Sequence, residues 1–399
     1  MRGKHIRAAS ILAAVTLAVA ACGGEAGGDG GGDGGSSGED LVIGFPVPLT
    51  SGNAVYAEQM IDSAQLAVDE INADGGAGGR QLVLETYDDK LSPDESARVA
   101  QRAVTVDGAE VIVGGYTSIE GLAIREVTER RKIVYINPST ISPQLTVDAE
   151  YTFRVAVDQT EYPAALADLA EQLGLERPAL LTDSGATGST IGPPTEAALD
   201  EAGIALAGPA TTYELNSTDV TGPVGTVVSQ NPDGVLALGS SAADLGLIMK
   251  TMVERGLTVP ILSVSAIVSP DALTVAGPEV IEALPIYTLV NKLATKPQFI
   301  DFVERYQAEY GGDVEELTVT LSEQAANSYD TIKLLAQALE ETGGSTDGDG
   351  LAEALRGLPP FDAAGGAEGA QISFADSQTG FSDSLVASQF VDGALQAVA

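Results

Sequence analysis

Histidine, cysteine and tryptophan are nearly missing from this chain of 399 residues, which has one histidine, one cysteine and no tryptophan. The histidine is His5, close to the amino terminus, and no imidazole follows it. That excludes Ser-His-Asp and Cys-His nucleophilic catalysis from the body of the chain, along with zinc centres built on imidazole. Carboxylate-pair chemistry stays formally open because acids are plentiful, but no motif for such a hydrolase is present. The single cysteine, Cys22, has no partner for a disulfide. Without tryptophan the flat platforms that stack sugars are scarce, which counts against carbohydrate binding. Basic residues are also few: 20 Lys and Arg stand against 57 Asp and Glu, a net charge of −37. A charge of that sign repels nucleic acid and anionic lipid headgroups. Past Leu41 no run is long and apolar enough to cross a bilayer.

The amino terminus reads as a processing signal. Arg2, Lys4 and Arg7 precede an apolar run from Ala8 to Ala21 that is too short for a stable spanning helix. Val19-Ala20-Ala21-Cys22 resembles a bacterial lipobox, in which the cysteine is acylated and becomes the new amino terminus. A plain secretory signal cut near Ala21 and a short membrane anchor are the other two readings; a lone cysteine at that spot favours the lipobox. Residues 1–21 are therefore expected to be a leader, with Cys22 as the lipidation site and an outer-face, membrane-anchored location. Residues 22–40 are almost all Gly, Ser, Asp and Glu. They form a tether with an r.m.s. reach of roughly 20–25 Å. One acyl chain anchors only marginally, so a lipoprotein would carry more than one.

From Leu41 onward the apolar pattern alternates between strands and helices. Leu41–Val47 reads as a buried strand, and Tyr56, Met60, Ile61, Ala64, Ala67, Val68 and Ile71 recur at helical steps. Strands follow at Gln81–Tyr87, Glu110–Val113 and Ile133–Ile136. Ser92-Pro93-Asp94-Glu95 reads as a capping box with proline at the first helical position. A second series predicts strands at Ala179–Thr182, Ile204–Ala210, Val235–Leu238 and Pro260–Val264, with an extended run at Ile281–Thr288. Its helices are expected at Tyr162–Leu173, near Pro194–Ala202, at Thr221–Ser229 and at Asp244–Arg255. Helices dominate after Lys296, before two late strands near Gln371–Phe374 and Leu385–Phe390. Two alternating series imply an α/β chain with two doubly wound parallel-sheet domains. The acidic turn Asp347-Gly348-Asp349-Gly350 has calcium-loop character, but such turns are usually solvated, and no cofactor or metal is implied.

Three stretches carry a family resemblance: Ala67-Val68-Asp69-Glu70-Ile71-Asn72-Ala73-Asp74-Gly75-Gly76 with Gly79-Arg80 and Asp88-Asp89; Val113-Gly114-Gly115-Tyr116-Thr117-Ser118; and Ile136 to Thr146 with Phe153-Arg154. Together they resemble the type I periplasmic solute-binding proteins of the branched-chain amino acid class, the leucine/isoleucine/valine-binding group of ABC importers. The resemblance implies two lobes joined by a three-crossing hinge, closing like a flytrap on a small solute. The crossings are expected near Val157–Thr160, Pro285–Tyr287 and Phe374–Phe381. Residues 41–158 plus 287–374 would form the first lobe and residues 159–286 plus 375–399 the second. It further implies a monomer, a non-enzyme, and an ABC permease as partner, with contact to the membrane through the lipid anchor alone. A sensory receptor domain of the same fold is the nearest alternative, and is normally joined to a membrane or signalling segment.

The site can be argued from the residues themselves as well. Gly114-Gly115-Tyr116-Thr117-Ser118 follows a strand and opens a helix, at the sheet edge where doubly wound folds bind ligands. Free amides and the helix dipole there favour a carboxylate or another electron-rich group. Thr117 and Glu120 fit a capping box, which leaves Ser118 free to face the ligand. In the family the residue matching Ser118 donates to a ligand carboxylate. The resemblance implies that the loop Pro138–Pro143 supplies the other half of that pocket, as it does in relatives: Ser139 matches a contact position, and the usual hydroxyl position falls on Ile141, with Thr140 and Ser142 beside it. Tyr56 and Tyr116 match side-chain pocket walls, and both also suit an ordinary amphipathic core. In the second lobe the matching positions are Thr187, Ser240 and Ser265, three hydroxyls and no acid, where amino-acid binders place a carboxylate for the ligand ammonium. Asp183 could supply that charge or could simply cap the next turn. A small carboxylate, an amide or a urea-like solute fits such a lobe at least as well as an α-amino acid. The implied mechanism is capture by Ser118, Ser139 and Thr140 in an open form, followed by closure of Thr187, Ser240 and Ser265 onto the other end.

Overall fold

Leu41–Val47 is buried along nearly its whole length because it becomes an inner strand covered on both faces. The computed structural model describes residues 38–398 apart from Gly52, so the leader, Cys22, most of the linker and Ala399 lie outside the described residues. The first sheet takes β1 (Leu41–Val47), β2 (Leu82–Asp88), β3 (Val111–Val113), β4 (Tyr135–Asn137) and β5 (Thr152–Arg154). They lie in the order β2-β1-β3-β4-β5, all parallel. Between them run α1 (Ala54–Ala73), α2 (Pro93–Thr105) and α3 (Ser118–Glu129). Pro93 does occupy the first turn of α2, where its missing N–H costs nothing. The capping box expected there does not form: the Glu95 carboxylate turns outward to Arg98 at 2.5 Å.

The second sheet begins after α4 (Tyr162–Gln172). Its elements are β6 (Ala179–Asp183), α5 (Ala186–Glu201), β7 (Thr211–Tyr213), α6 (Thr221–Ser229), β8 (Val235–Leu238), α7 (Ala242–Glu254), β9 (Ile261–Val264), α8 (Pro270–Ala276), α9 (Pro278–Ala283) and β10 (Ile286–Val290). The chain then builds α10 (Pro297–Tyr310), α11 (Val314–Thr320), α12 (Glu323–Thr342) and α13 (Gly348–Gly357), and a short hairpin of β11 (Phe361–Asp362) and β12 (Gln371–Ile372). It returns as β13 (Val386–Val391) and β14 (Ala394–Ala397), antiparallel additions that give the order β14-β13-β10-β9-β8-β6-β7. We call each sheet with its covering helices a lobe; both belong to one compact unit. Helix α12 packs on α1 of the first lobe, where Glu70 accepts from Tyr329 Oη at 2.7 Å and pairs with Lys333 at 2.6 Å.

Several expectations need correction. Residues 204–210 are not a strand; the edge strand is Thr211–Tyr213, since Pro209 has no N–H for a ladder while Thr211, Thr212 and Tyr213 suit a pleated edge. Helix α5 starts at Ala186 and runs through Pro193 and Pro194, well before the start expected at those prolines. The front of the run Ile281–Thr288 is helical, initiated by Pro278 after Gly277 at φ 84°. The lobe boundary drawn at residue 287 falls inside β10, which pairs with β9 from Ile286 to Leu289. The chain therefore leaves the second sheet after Val290 rather than at Pro285–Tyr287. Thr379, inside the segment Phe374–Phe381 expected for the last crossing, bridges Arg154 at the edge of the first sheet.

Candidate functional site

At the carboxyl end of β3 the backbone turns through Gly114 at φ 123° and Gly115 at φ 78°, which only glycine adopts readily. A Cβ on Gly114 would stand 2.7 Å from Pro46 O, and one on Gly115 2.8 Å from Tyr135 Oη. The turn is held by Gly115 N donating to Pro46 O at 2.7 Å and Tyr135 Oη donating to Gly114 O at 2.9 Å. Asn137, the last residue of β4 and fully buried, organises both loops. Its Nδ2 donates to Gly114 O at 2.8 Å, and its Oδ1 accepts from Ser139 N at 2.9 Å and Thr140 N at 2.5 Å. Ser139 Oγ then donates to Tyr116 O at 2.7 Å, two residues from Ser118. The two expected binding loops are therefore stitched together.

Ser118 opens α3 with Thr117 at its N-cap, and Glu120 Oε2 accepts from Thr117 N at 2.7 Å. Its hydroxyl keeps partial solvent access and takes no protein partner among the described residues, leaving it available at a helix start. Thr140 does not offer the hydroxyl expected of it. It is 1% exposed, and Oγ1 donates to Thr117 O at 3.2 Å, so it braces the loops. Ile141 is half-buried against the core, and its carbonyl accepts from Gln159 N at 2.8 Å. Tyr56 and Tyr116 stack with centroids 5.9 Å apart and planes 14° from parallel, forming one aromatic wall. Burial, followed by the negative fields of Asp271 and Glu323, raises the Tyr56 hydroxyl above its ordinary value.

On the second lobe Asp183 acts as a cap. Its Oδ1 accepts from Gly185 N at 3.0 Å and Gly188 N at 2.8 Å, closing the start of α5. Its Oδ2 accepts from Ser240 N at 2.9 Å and Ser240 Oγ at 3.2 Å, so Ser240 is engaged with that carboxylate. Thr187, in the first turn of α5, is half-buried and its hydroxyl has no protein partner among the described residues. Ser265 follows β9, and its hydroxyl favours the charged form of Glu323, the first residue of α12.

Glu323 and Asn137 are the residues that sequence reasoning missed. Asn137 had a local signal, an Asn–Pro pair closing a strand. Glu323 had none, being nearly two hundred residues from the loops it faces. Glu323 Oε2 accepts from Asn291 N at 2.7 Å, just past the end of β10. Its charge also reaches Tyr56, Tyr116 and Tyr162. Burial pushes its carboxyl up, against the opposing pull of the Asn291 amide, the Lys292 ammonium and the Ser265 hydroxyl. Lys292 points elsewhere: its Nζ donates to Leu321 O at 2.7 Å and Val319 O at 3.1 Å, and burial lowers it to about 8.

The chain crosses between lobes beside Arg154, whose guanidinium is buried. Nη1 donates to Ser142 O at 2.6 Å, and Nη2 donates to Thr379 Oγ1 at 2.7 Å and pairs with Asp158. One side chain thus ties the Pro138–Pro143 loop to Asp158 and Thr379. In the acidic turn Asp347 Oδ2 caps α13 at 3.1 Å, and Asp349 pairs with Lys132 at 3.0 Å.

Comparison with known proteins agrees with this geometry. A family model described as "Periplasmic binding protein" matches residues 40–387. The "Leu/Ile/Val-binding protein homolog 1" of Brucella suis is 26% identical over 327 residues, 81% of this chain and 84% of that protein. Among solved structures, a leucine-binding protein from Thermotoga maritima superposes with a TM-score of 0.76 at 22% identity, covering 90% of this chain and 98% of its own. A solute-binding protein of an ABC transporter from Rhodopseudomonas palustris, solved with 3,4-dihydroxybenzoic acid, gives a TM-score of 0.72 at 22% identity, covering 90% and 96%. At that identity the two structures speak for the fold.

Proposed function

The chain belongs to the periplasmic binding protein family, in its type I branched-chain amino acid class, and on that premise we propose that it is the solute-capturing component of an ABC importer. The observation carrying this reading is the bond from Ser139 Oγ to Tyr116 O at 2.7 Å. It sets the Ser118 helix start and the Ser139 loop side by side at the carboxyl edge of a parallel sheet, where such folds take ligands. The solute is a small carboxylate or amide, branched-chain amino acid-like or aromatic. Ser118 and the amides of α3 receive its electron-rich end, Tyr56 and Tyr116 flank its apolar part, and Ser139 holds the loops in place. Closure brings Thr187 and Ser265 onto the other end.

The first lobe is residues 41–154 and 292–380, the second residues 162–290 and 386–397, and the segments between them form the hinge. No covalent chemistry is required. The closed form is the signal read by a membrane permease, and the carrier works as a monomer. Cys22 and the tether behind it would hold the carrier on the outer face of the membrane. A thermal-shift screen of the purified protein tests the reading with branched-chain and aromatic amino acids, their deaminated acids, short amides and urea. A true solute at a hundredfold its dissociation constant stabilises by about 2.7 kcal/mol. A screen in which no compound moves the transition, or in which one is turned over, defeats it.

A further inference from the structure

Asn291 directly follows β10, and Ser384 stands two residues before β13. In the lobe division proposed above, both fall in the segments that join the lobes. Residues 365–367 tie those segments together: Gly366 N donates to Asn291 O at 2.9 Å, and Ala367 N donates to Ser384 O at 3.0 Å. A third side chain, Asn327 of α12, reaches the same place and donates through Nδ2 to Pro138 O at 3.0 Å, next to Ser139. Asn291 is 2% exposed, Asn327 1% and Ser384 0%. Yet Asn291 Oδ1 and Nδ2, Asn327 Oδ1 and Ser384 Oγ have no protein partner among the described residues. The two amide oxygens face adjacent glycines. A Cβ on Gly365 would stand 2.7 Å from Asn327 Oδ1 and 3.4 Å from the Phe381 ring, and one on Gly366 would stand 3.4 Å from Asn291 Oδ1 and 3.0 Å from that ring.

A buried donor or acceptor left unmatched costs free energy, which folded proteins avoid with a protein partner or an ordered water. The set here is mixed: two amide oxygens that accept, one amide nitrogen that donates, and a hydroxyl that does either. A cation would satisfy the oxygens alone and would meet the Lys296 ammonium, which donates to Gly365 O at 2.5 Å. An anion would meet the amide oxygens and the Asp330 carboxylate, which accepts from Ala364 N at 3.0 Å and Gly365 N at 3.1 Å. Water both donates and accepts, and a buried water needs two to four such partners. We propose that this junction is a buried water site, with water donating to Asn291 Oδ1 and Asn327 Oδ1 and accepting from Asn291 Nδ2 and the Ser384 hydroxyl. The water fastens both joining segments to α12 and, through Asn327, to the carbonyl that precedes Ser139. Its place in a hinge rests on the solute-carrier reading; the water site itself does not.

A wild-type crystal structure at a resolution that orders interior solvent tests this directly. Density is expected within about 2.7–3.2 Å of polar atoms on at least two of the three side chains. A dry junction in a crystal that shows ordered water elsewhere overturns the proposal. Asn291→Leu keeps the branched shape and the main-chain bonds while removing both polar atoms. Were the amide packed dry, the variant would melt at the same temperature or higher, since replacing an unmatched polar group by an apolar one of like shape is neutral or stabilising; that result also counts against the water. With water in place, melting is expected to fall by about 2 °C or more. Amide exchange at Gly366 and Ala367 is expected to quicken by about tenfold or more as the joining segments loosen. If the variant does not fold, the wild-type density decides. A wet junction in a protein that no solute stabilises upholds the water site and overturns the carrier reading alone.

Discussion

Asp89 lies fully buried behind the first-lobe loops, with Oδ1 accepting from Leu91 N at 3.1 Å and Oδ2 without a partner among the described residues. Burial, reinforced by the neighbouring Glu120 charge, pushes its carboxyl up to about 7. An unfolded aspartate titrates near 3.9, so the folded state retains a proton between roughly pH 4 and 7 that the unfolded chain has lost. Stability is therefore greatest at the acid end of that window and falls as pH rises through it. Asp89→Asn is expected to remove much of this slope, an effect of up to about 4 kcal/mol. Urea denaturation at pH 5 and pH 8 checks it, and an unchanged slope in the variant would contradict it. Ser118 belongs to the same scale. Its hydroxyl supports no protein group among the described residues, so Ser118→Ala should leave melting almost unchanged. It should weaken a carboxylate solute by about 1.5–3 kcal/mol, the worth of a hydrogen bond to a charged group.

Among the elements the hinge is the most exposed to a single change. Arg154 is one side chain holding Ser142 of the Pro138–Pro143 loop, Asp158 and Thr379. Arg154→Ala leaves these partners unmatched inside the protein, which typically costs about 3–5 kcal/mol. A drop of that size in urea unfolding is expected, with solute affinity falling alongside it because Ser142 lies in the loop next to Ser139. The helices themselves follow local chemistry: α6 spans the same Thr221–Ser229 that periodicity predicts. Strand β7 does not, because the seven-residue run Ile204–Ala210 looked more strand-like than the three residues that complete the sheet edge.

For the molecule as a whole, a net charge of −37 makes self-repulsion a standing cost of folding. Added salt shortens the screening length from about 10 Å at 0.1 M to about 3 Å at 1 M. The melting temperature should accordingly rise between 0.05 and 1 M sodium chloride, and a flat or falling trend would show that the acids are already neutralised by local pairing. Solute-driven closure should also reduce the radius of gyration in solution scattering, with the responding compound from the thermal screen and with no other.

The sequence by itself determined what depends on near neighbours in the chain. The alternation of strand and helix, the glycine turn before Ser118, the absence of imidazole and the leader-like amino terminus are all local signals. The stretches around Ser118 and Ser139 were legible because each is a strand end followed by a turn. The tertiary structure alone decided what depends on distant segments meeting. It withdrew the Thr140 hydroxyl by placing Thr117 O beside it, and it committed Asp183 to capping α5 and holding Ser240. It also carried Glu323 from the far end of the chain to Ser265 and the tyrosines. Side-chain charge acts over a few ångströms of space regardless of separation along the chain, so the electrostatics of a cleft shared by two lobes cannot be read until both lobes are in place.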